Sequence, residues 1–112
     1  MKTLIAFLAL GLFSLHAAAA DVARGAELVK KYNCASCHGA DFNKPIDPSY
    51  PKLGGQHADY LAHALRAYKR GAGPNGRVNA IMALQVQPLS NRDMDDIGAY
   101  LASLPSQLVV KK

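Results

Sequence analysis

The residues with the most chemistry in this chain are two thiols and an imidazole in one short run, Cys34-Ala35-Ser36-Cys37-His38. No other cysteine occurs in the 112 residues. Two thiols separated by two residues can add across the two vinyl groups of a porphyrin. The residue straight after the second thiol is then held beneath the iron, and an imidazole there offers a ring nitrogen as proximal ligand. A C-x-x-C-H run is the attachment signature of a covalently bound c-type haem. Two other chemistries compete for the same residues. A redox disulfide of the thioredoxin type needs a βαβ setting, and no strand-rich pattern flanks this run. A closed structural zinc site takes four ligands, and only the scattered His57 and His63 are on hand.

With His38 on one side of the iron, the other axial position is empty, water-filled or taken by a second side chain. Met82, Met94, His57 and His63 are the candidates. Met94 sits where it can staple a helix start with Leu89. His57 and His63 fall at the start and on the flank of an amphipathic helix, where an exposed histidine is ordinary. Met82 lies in a segment, Arg77 to Pro88, that reads as weakly helical or irregular and could fold over the distal face. A methionine in a short apolar run also serves as core filler, so spacing alone leaves Met82 undecided.

Three main helices must position these groups. The first runs from a cap at Asp21 to about Tyr32, with Val22, Ala26, Leu28 and Val29 as its apolar stripe. Gly25 within it costs up to ~1 kcal/mol relative to alanine, which a close helix crossing would explain. Gly39 to Gly55, with Pro45, Pro48 and Pro51, reads as a loop. It is long for so small a domain. The second helix spans about Gln56 to Arg70, with Tyr60, Leu61, Ala64, Leu65 and Tyr68 on one face and Gly71 at its end. Ser90 and Asp93 open the last helix with a capping-box pattern. Its buried stripe is Ile97, Tyr100, Leu101 and Leu104, and Pro105 marks the end.

The chain begins with a segment of another kind. Lys2, a nearly unbroken apolar run from Leu4 to Leu15, and the small residues Ala17 to Ala20 make a secretory leader cleaved before Asp21. The apolar run is short of the ~20 residues that span a bilayer, and His16 interrupts it. The expected division is therefore a leader over 1–20 and one domain over 21–112, exported to the periplasm with no stable membrane insertion. The leader takes Lys2 with it, so 13 basic residues become 12 against 8 acidic ones, a mature net charge of +4. That charge favours partners with acidic docking surfaces, as a salt-sensitive steering effect. No feature points to nucleic acid. A chain this short buries only a modest fraction of its surface and is marginal by itself, and a covalently held apolar disc would supply the centre of its core.

The whole mature chain resembles the class I cytochromes c of bacterial electron transport, in particular single-haem periplasmic proteins similar to one half of the dihaem type. The matching pieces are Gly25 before C-A-S-C-H-G, Y-P-K-L-G-G-Q from Tyr50 to Gln56, and Tyr60-Leu61. N-A-I-M ending at Met82 and L-S-x-x-D-M-D-D-I-G-A-Y-L from Leu89 to Leu101 complete them. The resemblance implies an all-α small cytochrome c fold around one haem c, joined through Cys34 and Cys37. It implies His38 and Met82 as iron ligands and the Pro51 carbonyl as acceptor of the other His38 N–H. It further implies a first-to-last helix crossing at Gly25 and Tyr100. The single C-x-x-C-H departs from the dihaem pattern and means one haem. A protein so built is a single-electron carrier between respiratory or dehydrogenase partners and a terminal acceptor, with no catalytic residue. An electron-relay subunit of a larger oxidoreductase is the alternative. A peroxidase or gas sensor would need an open distal site.

Overall fold

The computed structural model describes Gly11 and residues 19–107. The leader, apart from Gly11, Ala19 and Ala20, lies outside the described residues. Among those described there are five α-helices and no strand: α1 Val22–Lys31, α2 Ala35–His38, α3 Ala58–Arg70, α4 Ala80–Val86 and α5 Asn91–Ser103. Helix α5 packs on both α1 and α3, and α4 packs on α3. The core gathers Leu28, Val29, Phe42, Leu61, Val86, Leu89, Met94, Ile97 and Leu101.

Helix α5 is the axis of this arrangement, and its start is fixed by side chains. Ser90 Oγ accepts the Asp93 N–H at 3.0 Å, and Asp93 Oδ2 accepts the Ser90 N–H at 2.9 Å. The box therefore closes with aspartate in place of the longer glutamate. Leu89 and Met94, the two staple residues, are 4% and 1% exposed.

Two glycines let helices approach α5 closely. A Cβ on Gly25 of α1 would stand 2.0 Å from the Asp96 carbonyl oxygen and 2.8 Å from Tyr100 Cβ. The expected crossing is present, with α5 backbone as its tightest point. Gly98, on α5 itself, does the same toward α3, where a Cβ would lie 2.7 Å from the Ala58 carbonyl oxygen. Gly98 carried no sequence signal of its own beside the apolar stripe.

An ionic clamp ties α1 to α5. Arg24 of α1 pairs with Asp93 and, at 2.7 Å, with Asp96. The hydrogen bond to the Ser90 backbone, ahead of the contact with Arg24, holds the Asp93 carboxyl below its usual range. Burial pushes Asp96 the other way, but the Asp21 N–H and Arg24 outweigh it, and its carboxyl is also lowered. Both groups are more acidic folded than unfolded. Their stabilisation is thus fully present above the ordinary carboxylate pKa of ~3.9 and is lost as the pH falls through their depressed folded values. Thermal melts from pH 6 to pH 2 should show that loss, and Arg24→Gln should make it shallower. An identical acid profile in Arg24→Gln would contradict the clamp.

The structure corrects or refines the sequence reading in four places. Val22 is 44% exposed, so the α1 stripe begins at Gly25. The inward residues of α3 include Ala62 and Ala67, because this face meets α5, while Tyr60 is 49% exposed. The haem motif is itself a short helix, α2. Arg77 to Pro88 holds an ordered helix, α4, because the Asn79 side chain accepts the N–H groups of Ile81 and Met82. Of the two readings of this segment, weakly helical or irregular, the helical one holds, and Met82 sits in the first turn of a capped helix.

Candidate haem site

The chain leaves α1 through Tyr32 and Asn33. Asn33 adopts φ 54°, a left-handed conformation that asparagine tolerates better than most residues. This reverses the chain so that the Cys34 N–H reaches back to the Val29 carbonyl at 3.1 Å. The next turn is helical, with the His38 N–H on the Cys34 carbonyl at 3.1 Å. A four-residue spacing on a helix puts Cys34 and His38 on one face. Both cysteines are free thiols, partly buried. Burial pushes the Cys34 thiol up, disfavouring its thiolate. A thioether carries no charge, so the same burial suits it.

His38 is 8% exposed, and its Nδ1 lies 3.0 Å from the Pro51 carbonyl oxygen. The loop after α2 makes that contact by folding back on itself. The Ile46 N–H bonds the Cys37 carbonyl at 3.0 Å, and the Leu53 N–H bonds the Phe42 carbonyl at 2.8 Å. The Gly55 N–H then ties the loop to the Leu101 carbonyl on α5 at 2.9 Å. With Nδ1 engaged as donor, Nε2 is the nitrogen left to serve as ligand. The Tyr50 ring stands 6.3 Å from the imidazole.

Two adjoining cavities share Cys37, His38, Leu53, Leu65, Ile81, Met82 and Leu101 as walls. Cys34 and Val86 line one of them, and Tyr60, Tyr68 and Arg77 line the other. Apart from the thiols, the imidazole and a few polar groups the walls are apolar, which suits a flat hydrophobic macrocycle. Of the described histidines and methionines, only His38 and Met82 line these cavities. His57, at the N-cap of α3, and His63, on α3, are exposed, and Met94 is sealed in the core. The residues present therefore fit a covalently held haem.

Sequence reasoning missed two features of this site. Asn79 caps α4 and so sets the Met82 backbone; the polar residue just before the Ala-Ile-Met run was the available signal. Arg77 stacks its guanidinium 5.7 Å from the Tyr60 ring centroid and 5.5 Å from that of Tyr68, a long-range meeting with no local signature.

Comparison with known proteins agrees with this geometry. The family model described as Cytochrome c matches residues 22–105. The chain is 38% identical over 108 residues to cytochrome c4 of Stutzerimonas stutzeri, covering 91% of this chain and 50% of that protein. It is 39% identical over 85 residues to cytochrome c-554(548) of Halomonas halodenitrificans, covering 76% of this chain and 98% of that one. A thiosulfate dehydrogenase electron acceptor of Stutzerimonas stutzeri is 33% identical over 99 residues, covering 85% and 44%. The chain thus spans about half the length of the cytochrome c4 it matches and nearly all of the c-554. Helices, attachment run and relatives agree on one family, and the chain belongs to the cytochromes c, as a class I c-type domain of the kind that forms half of the dihaem proteins, with covalent haem c as its cofactor.

Proposed function

We propose that this chain is exported, loses residues 1–20 and works in the periplasm as a single-electron carrier, not an enzyme. In this reading one haem c is joined through Cys34 and Cys37, with His38 and Met82 as the iron ligands and the Pro51 carbonyl orienting His38. When bound, haem c supplies a one-electron ferric–ferrous couple. The observation that carries the reading is that Met82 and His38 line the same apolar cavities while every other described histidine and methionine lies elsewhere. A ligand on each side keeps small molecules from the metal, and a thioether on one side favours the reduced state. The Pro51 carbonyl fixes the His38 tautomer and ring plane.

Redox proteins are the proposed partners. The similarity to a protein named thiosulfate dehydrogenase electron acceptor supports a dehydrogenase as electron donor. The half-length match to cytochrome c4 supports the second reading, a relay domain within a larger assembly. The net charge of the mature chain supports acidic docking surfaces on partners. Ile81 is half-exposed and lines both cavities, with Val78 and Leu84 exposed in the same stretch. That apolar surface is a suitable place for brief contact.

Covalent attachment has a direct test. After acid denaturation and extraction with organic solvent, the haem colour should stay with the polypeptide, at one haem per chain. Cys34→Ser together with Cys37→Ser should release it into the solvent. Extraction of haem from the unaltered protein would overturn the attachment.

A further inference from the structure

The backbone N–H of Asp21 donates to Asp96 Oδ1 at 2.8 Å. Asp96 is 1% exposed and sits on α5, 75 residues away from Asp21 in sequence. Its other oxygen, Oδ2, takes Arg24 at 2.7 Å and Arg92 at 3.8 Å. Oδ1 is thus reserved for the first residue after the expected leader. Ala19 and Ala20 lie outside any helix, exposed, along a cleft that Asp59 and Ala62 of α3 line together with Arg92, Asp95 and Asp96 of α5.

We propose that Asp96 is a built seat for the α-ammonium group released at Asp21 when the leader is removed. The inference rests on the leader reading given above. Hydrolysis of the Ala20–Asp21 bond consumes one water, leaves a carboxylate on Ala20 and turns the Asp21 amide into a primary amine that takes up a proton. The leader-cleaving peptidase of the exporting membrane supplies the catalyst. The nitrogen that already donates one hydrogen bond to Asp96 then carries a positive charge at the same place. Processing thereby converts a neutral tie between α1 and α5 into an ion pair.

The surrounding charges act in both directions. The start of α1 disfavours a cation there, as do Arg24 and Arg92. Asp21's own carboxylate, which accepts the Arg24 N–H at 2.9 Å, favours it, as do Asp59 on α3 and Asp95 on α5. Arg66 on α3 and Arg24 on α1 neutralise part of Asp95 and Asp93. The direct contact decides the balance, because a buried opposite charge at hydrogen-bond distance outweighs partly screened neighbours farther away.

The test is the protonation of the Asp21 amine in the exported holoprotein, read by competitive labelling of α-amines across pH. The ordinary α-amino pKa is ~7.7–8.0, and the seated group should titrate at least about one unit higher when folded, returning to the ordinary range in urea. Asp96→Asn should bring the folded value back to ordinary. If that variant is not recovered folded, the difference between native and urea-unfolded protein carries the test. A folded pKa in the ordinary range, or one unmoved by Asp96→Asn, overturns the seat. Intact mass of the exported protein separates the two readings. A chain starting elsewhere than Asp21 sinks the leader assignment alone. The seat is then read on holoprotein released at Asp21 from an amino-terminal fusion by a protease that leaves no residue behind.

Discussion

Met82→Ala is expected to open the distal side of the iron while leaving the fold in place. The side chain is half-buried at the cavity wall, in the first turn of α4. Asn79 caps that turn through the backbone N–H of residue 82 and not through its side chain, so alanine keeps the helix. The loss should therefore appear at the metal. Carbon monoxide and cyanide should bind readily, and the weak far-red methionine-to-ferric band should vanish. The reduction potential should fall on the order of 0.1 V or more, since axial ligand choice moves haem potentials over about 0.8 V. Met94→Ala is the matched control. That residue is 1% exposed in the core, so its truncation should cost roughly 2–5 kcal/mol of stability with the iron spectrum unchanged. Reversed outcomes for the two variants would move the ligand to Met94. An unaltered spectrum in Met82→Ala would direct attention to His57 or His63.

Gly25→Val should be the most damaging change away from the metal. The added Cβ would meet the Asp96 carbonyl oxygen at 2.0 Å, and backbone cannot step aside as a flexible side chain can. Overpacking of a core commonly costs ~1–3 kcal/mol, and here the expected cost is at or beyond the top of that range. Separating α1 from α5 would also pull Arg24 from Asp93 and Asp96. Denaturant titration should show a clearly lowered midpoint in Gly25→Val and a smaller loss in Gly25→Ala. An unchanged midpoint would mean that the helices can part without consequence.

How much of this was legible in the sequence depends on the range of the physics. The attachment run, the Ser90–Asp93 box and the Asp21 cap are local, and their side chains reach only a few residues along the chain. They could be read directly. Arg77 to Pro88 reads only as weakly helical or irregular, because Pro88 and the glycines of Gly71–Gly76 weigh against the single cap at Asn79. Met82 is a ligand candidate through family resemblance, and it lines the wall of both cavities. Gly25 by itself suggests a close helix crossing, and the resemblance supplies Tyr100 of the last helix as the other side. Gly98, the stacking of Arg77 on Tyr60 and Tyr68, and the pairing of Arg24 with Asp93 and Asp96 join residues far apart in sequence. No periodicity or turn rule carries information of that kind.

An iron held on both sides, by His38 and by Met82, would be built to pass electrons and not to bind small molecules. The absorption spectrum of the purified holoprotein, oxidised and then reduced, with and without carbon monoxide, tests it most directly. With both ligands in place, the spectrum should be low-spin c-type in both states, with the weak far-red band in the oxidised state and no change on adding carbon monoxide to the reduced one. A high-spin oxidised spectrum, or prompt carbon monoxide binding by the unaltered protein, would contradict it.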